Sequence, residues 1–144
     1  EGLDPKLLEA ICTVESSLNA LAVRYEPAFK WTVSPRDWAS QMNLSVETET
    51  MLQSTSYGFG QIMGAAMREY GFRGPLQACI ADPAVPLMYS AKHLKRFLAQ
   101  YGTEEEAIAA YNAGSPRRTP GGNFENQVYV DKVYTVLRKL RALV

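Results

Sequence analysis

The sequence predicts an all-α protein of one domain, 1–144, on three observations. Apolar residues recur at spacings of three and four along most of the chain. The runs open on helix-starting residues, Asp-Pro twice and Ser or Thr twice. Glycines close three of them, at Gly71, Gly102 and Gly114. No strand is predicted.

Asp4 and Pro5 open the first helix as N-cap and first helical residue, and Leu8, Ile11, Cys12, Glu15 and Leu18 form its expected core stripe. Pro35 and Trp38 suggest a short helix at about 35–42, and Ser45 caps another at about 46–53. Residues 54–60 read as a loop and 61–70 as a helix stopped by Gly71. Asp82-Pro83 starts a long helix whose apolar face is Val85, Met88, Tyr89, Ala91, Leu94, Leu98 and Tyr101. Thr103 and Glu106 form a capping box for the next helix, which ends near Gly114. Residues 115–125 are loop by composition. A last helix spans about 126–143, with Val133, Val136, Leu137 and Leu140 inward.

The 144 residues are enough to bury a hydrophobic core without metals or many disulfides. Lys plus Arg equals Asp plus Glu at 15 each, which gives no support to a protein built mainly to hold nucleic acid. No apolar run approaches the ~20 residues that span a bilayer. The chain begins at Glu1 rather than Met, so it is expected to be a processed or excised piece. Cys12, Cys79 and the single His93 are too few for an easy zinc site. The two cysteines read as small core side chains, with one disulfide as the alternative.

Four pieces carry candidate chemistry. Glu15, followed by Ser16, puts a carboxyl on an apolar helix face. Desolvation there disfavours the charged form, and a neutral carboxyl can donate a proton; pairing with an arginine is the alternative. Tyr57-Gly58-Phe59-Gly60-Gln61 lets the backbone turn tightly and approach a ligand. Ala110-Tyr111-Asn112-Ala113-Gly114 offers an amide at a helix end, though Gly114 alone suffices to close a helix. In the fourth piece, Asn126 to Val130, Tyr129 is either a core aromatic or the holder of a catalytic carboxyl.

In this order, over roughly residues 3–140, the four pieces resemble the catalytic domain of the soluble lytic transglycosylases, in the lysozyme superfamily and related to goose-type lysozyme. The stretch LDPKLLEAICTVESSLNALAV is similar to that family's first helix. The resemblance implies a lysozyme-like fold with an inserted segment at about 25–54 bordering the groove as a wall or lid. It implies Glu15 as catalytic acid/base and Tyr129 as the tyrosine that orients it. Ser16, Gly58, Phe59, Gly60, Gln61, Met63, Tyr111 and Asn112 match substrate-binding positions. Gly60 stands where the family usually has methionine.

The implied substrate is the β-1,4 bond from N-acetylmuramic acid to N-acetylglucosamine in peptidoglycan glycan strands, cleaved to a 1,6-anhydro sugar without metal or cofactor. The implied setting is the periplasm or cell wall, within a larger cell-wall, secretion or phage protein. A hydrolytic muramidase on the same fold and an inactive cell-wall binding module are the alternatives, with a plain helical interaction domain behind them. The muramidase would need a second carboxylate. Glu26, Glu47 and Glu49 are candidates, each otherwise a solvated or locally paired charge. Arg117 and Arg118 are expected to be solvated or to meet stem-peptide carboxylates. His93 is expected to be exposed.

Overall fold

The structure, a computed structural model, describes residues 2–143. Helix accounts for 58% of it and strand for 7%, so the all-α expectation holds, with one small sheet that was not expected. The chain divides into two compact units, one from 1–18 with 91–144 and one from 19–90. None of the described helices is long and apolar enough to cross a membrane.

The first unit contains α1 (Pro5–Ser16), the second part of α5 (Ala84–Tyr101), α6 (Glu104–Ala113) and α7 (Gln127–Ala142). Asp4 caps α1 by accepting from the Lys6 N–H at 2.9 Å. Thr103 caps α6 by accepting from the Glu106 N–H at 3.2 Å. Gly114, at φ 85°, closes α6 in the left-handed conformation that favours glycine. Ala107, Ala109 and Ala110 are fully buried, and their small side chains let α6 lie close to its neighbours. Leu7, Ala10, Ile11, Leu94, Phe97, Ile108, Val130, Val133 and Leu137 fill the rest of this core.

Three expectations are corrected here. Leu18 is 47% exposed and off the stripe, because α1 stops at Ser16 and the chain turns left-handed at Ser17 and Leu18. Leu7 and Ala10 complete the buried face in its place. On α5, Met88 is 49% exposed, whereas Phe97 is buried. His93 is half-buried, its ring edge-on to Phe97 at 4.5 Å and to Tyr111 at 5.5 Å. Burial, with the nearby Arg96 charge, lowers its pKa from 6.5 to about 4.

α1 and α7 pack antiparallel. At one end Arg141 donates to Asp4 at 3.0 Å and forks across both Glu104 oxygens at 3.0 and 2.7 Å. The Arg141 hydrogen bond is the main reason that Asp4 sits below the usual carboxylate range.

The second unit holds β1 (Val23–Tyr25), α2 (Pro35–Met42), α3 (Val46–Gln53), β2 (Thr55–Tyr57), β3 (Ile62–Met63), α4 (Gly64–Glu69), a 3-10 helix (Leu76–Ile80) and residues 84–90 of α5. The sheet is antiparallel in the order β1-β2-β3. It pairs Arg24 with Ser56 and Tyr57 with Ile62. The expected loop 54–60 is therefore half strand, and the helix expected from Gln61 begins at Gly64. Strands of three and two residues are too short for period-two alternation to register in sequence. A side chain at Gly64 would collide with the Leu52 carbonyl, so glycine here permits α3 and α4 to approach backbone to backbone. Tyr57, Ile62, Met67, Leu76, Cys79 and Tyr89 form the apolar core. Cys12 and Cys79 are both buried and free.

The polar stretch expected as an insertion at 25–54 is organised by a buried ion pair. Glu49 and Arg68 are each 0% exposed at the side chain and bond at 2.6 Å. Arg68 also donates to the Phe72 and Gly74 carbonyls at 2.9 and 2.7 Å and lies over the Trp38 ring at 4.5 Å. Gln53 donates to Glu49 at 3.4 Å and to the Val33 carbonyl at 3.0 Å, and accepts from the Val33 N–H at 2.6 Å. Glu49 is therefore neither solvated nor paired within its own segment; its partner is nineteen residues further on, in α4.

Arg68→Met will leave the Glu49 carboxylate buried without its cation and is expected to lower unfolding free energy by about 3–5 kcal/mol in urea titration. A loss below about 1 kcal/mol will contradict the account. His93 generates a second expectation. Above pH 6.5 its imidazole is neutral folded and unfolded; between 6.5 and about 4 only the unfolded chain takes up the proton. The melting temperature will fall across that window, and His93→Gln will remove that part of the fall. An unchanged slope in the variant will refute it.

Candidate active site

The last turn of α1 brings Glu15 to the first turn of α7. There the Tyr129 hydroxyl donates to Glu15 Oε2 at 2.9 Å, joining residues 114 positions apart. Both residues are half-buried. Burial, and next the Glu15 charge, pushes the Tyr129 phenol well above its ordinary range. The phenol therefore keeps its proton and meets the carboxylate only as a donor. Ser16, next to Glu15, donates to the Cys12 carbonyl at 3.2 Å. Burial pushes the Cys12 thiol up to about 12, with the Glu15 charge adding to it, so this sulfur is no ready nucleophile.

Two further positions named from sequence lie on α6 in the same unit. Tyr111 is buried among the apolar side chains, against His93. Asn112 is exposed, and its Oδ1 accepts from Asn126 Nδ2 at 2.9 Å. Sequence reading assigned Asn126 only the start of the last helix; nothing in its type or spacing signals that its amide reaches back to α6.

Gly58, Phe59, Gly60, Gln61 and Met63 belong to the second unit, where Gly58 to Gln61 form the turn between β2 and β3. Gly58 takes φ 74°, and a side chain on it would meet Pro86 Cγ at 3.1 Å. Gln61 sits in the turn at φ 50° rather than at a helix start. Its NH2 donates to the Ala22 and Gly58 carbonyls at 3.0 and 2.9 Å, and its Oε1 accepts from Ser56 at 2.8 Å. Its side-chain amide thus ties the turn to β2 and to Ala22, the residue before β1. Phe59 is half-buried, Gly60 is buried, and Met63 is half-buried at the N-cap of α4.

The other candidate carboxylates lie in the second unit. Glu26 pairs with Arg24 at 2.8 Å, Glu47 is exposed in the first turn of α3, and Glu49 is sealed against Arg68. In the first unit's 115–125 loop, Arg117 pairs with Glu125 at 3.0 Å and bonds Ser115 at 2.8 Å. Arg118 bonds the Gly122 carbonyl at 2.7 Å and covers the Phe124 ring at 4.0 Å. Both arginines are exposed but tied into their own loop. Among the described residues, no group of three or more His, Cys, Asp or Glu side chains is placed to hold a metal.

The Transglycosylase SLT domain family matches residues 1–126. Protein IpgF of Shigella flexneri and Protein IpgF of Shigella sonnei are each 33% identical over 84 residues, covering 56% of this chain and 52% of their own. The chain thus spans about half the length of these curated relatives. No solved structure matches it. The family match covers residues 1–126 of the 144, well over half of the chain, so the chain belongs to the SLT transglycosylase family, with a lysozyme-like domain.

Proposed function

We propose that this chain is the catalytic domain of a peptidoglycan lytic transglycosylase, with Glu15 as its single acid/base. One observation carries the reading: a half-buried carboxyl at the end of α1 held by a phenol that stays protonated. Cleaving the β-1,4 bond from N-acetylmuramic acid to N-acetylglucosamine requires a proton on the leaving oxygen and relief of positive charge at the anomeric carbon. Glu15, protonated, gives its proton to the glycosidic oxygen as the C–O bond breaks. The substrate's acetamido oxygen bonds to the anomeric carbon and takes the place of a second carboxylate. Glu15, now ionised, removes the proton from the muramoyl 6-hydroxyl, and that oxygen closes onto the anomeric carbon as the acetamido oxygen leaves. The products are a free 4-hydroxyl and a 1,6-anhydro sugar, with no water consumed.

Tyr129 orients the carboxyl and stabilises its ionised form between the two steps. Two of the carboxylates weighed for a hydrolytic route are paired: Glu49 lies inside a sealed ion pair and Glu26 pairs with Arg24. The family's sugar-binding positions correspond to Ser16, Gly58, Phe59, Gly60, Gln61, Met63, Tyr111 and Asn112. Of these, Gln61 contributes through the shape of its turn, since its amide is fully engaged there. Such a domain works on glycan strands in the periplasm or cell wall, as part of a larger cell-wall, secretion or phage protein.

Glu15→Gln is expected to abolish release of anhydromuropeptides, read by mass spectrometry of a peptidoglycan digest, while its melting temperature stays near wild type. Tyr129→Phe is expected to lower turnover about ten- to hundredfold, the worth of one hydrogen bond to a charged group. Near-normal activity in Glu15→Gln will overturn the assignment, and an unaltered rate in Tyr129→Phe will remove Tyr129 from the site.

A further inference from the structure

We infer that Asn126 is a positioning residue for Asn112: it grips the Asn112 carbonyl so that the Asn112 NH2 stands as a fixed donor toward the glycan. The glycan in this statement rests on the transglycosylase reading; the rest follows from the geometry of the first unit.

Asn126 stands at the N-cap of α7, where an asparagine ordinarily turns its Oδ1 onto a first-turn N–H. Its side chain makes no such bond. Instead its NH2 points back to α6, donating to the Ala109 carbonyl at 3.0 Å and to Asn112 Oδ1 at 2.9 Å. Its own Oδ1 is buried with no partner among the described residues. An unused cap and an orphaned acceptor both weaken a fold. Turning the amide over is no remedy, because Oδ1 would then face the Ala109 carbonyl, a backbone group that only accepts. The orientation is therefore set outward from the backbone. The Ala109 carbonyl fixes the Asn126 NH2, and that NH2 fixes the Asn112 carbonyl. Asn112 is exposed and its Nδ2 makes no bond to the described residues. The NH2 is thus the group left for an oxygen of the sugar. Without Asn126 the Asn112 amide would turn freely, presenting donor or acceptor.

The site also shares its support with the acid. Asn126 leads into the first turn of α7, which carries Tyr129 and through it Glu15. One helix start therefore holds both the carboxyl and the amide donor.

The test is a double-mutant cycle on Asn112→Ala and Asn126→Ala. It measures binding of tri-N-acetylchitotriose by titration calorimetry and melting temperature in parallel. Each single change is expected to weaken binding about tenfold. The double variant is expected to bind no more weakly than Asn112→Ala alone, because both changes remove one donor. The melting temperature of Asn126→Ala is expected to stay near wild type, since the orphaned acceptor goes with the side chain. Should that variant fail to fold, Asn126→Ser, which keeps a hydroxyl donor, replaces it and is expected to bind within about threefold of wild type. Unchanged binding in Asn126→Ala, losses that multiply to about a hundredfold, or a wild-type protein that does not bind the sugar overturns the inference. Products carrying an added water from a protein that shows the expected cycle will sink the transglycosylase reading and leave Asn126 in its role.

Discussion

The hydrogen bond from the Tyr129 hydroxyl to Glu15 is the contact on which the functional reading depends. It is local chemistry made by distant sequence. α1 ends at Ser16 because the chain turns left-handed there, which puts Glu15 in the last turn, at the margin of the core. α7 runs antiparallel to α1, so its first turn meets α1's last one. Arg141 ties the opposite ends to Asp4. Apolar packing through Leu7, Ile11, Val133 and Leu137 sets the spacing between the helices, and the tyrosine finds its carboxyl as a consequence. The carboxyl is left half-buried at that margin, with the phenol as a hydrogen-bond donor.

The second unit solves a different problem with the opposite material. Its 25–54 stretch has few apolar residues to bury, and a buried arginine gathers it instead. Arg68 engages Glu49, two carbonyls and the Trp38 ring, and Gln53 fastens the Val33 backbone to the same cluster. Buried ion pairs give little net stability over an apolar core, but they tolerate no missing partner. Here the cluster joins α3, α4 and the Val33 backbone ahead of α2.

Much of this was legible in the sequence. Caps and stops marked α1, α6 and the short helix at 46–53, because Asp4, Ser45, Thr103 and Gly114 act on the backbone within a few residues of themselves, and Pro35 with Trp38 marked the one at 35–42. Glu15 stood out as a carboxylate among apolar neighbours. What escaped was set by partners remote in sequence. The β2-β3 turn reads as a loop because its strands are two or three residues long. His93 reads as exposed because Phe97 and Tyr111 cover it, and Tyr111 comes from another helix. Glu49 reads as a surface charge because Arg68 lies beyond its own segment. Asn126 reads as an ordinary helix start because its bonds run back to α6.

The central claim is that one carboxyl gives a proton to the leaving oxygen and recovers one from the substrate, so that no water enters the product. Digesting peptidoglycan with the wild-type protein in water labelled with heavy oxygen tests this in one step. The account predicts muropeptides one water lighter than hydrolytic products and free of the heavy isotope. Heavy oxygen at the muramoyl reducing end will contradict it.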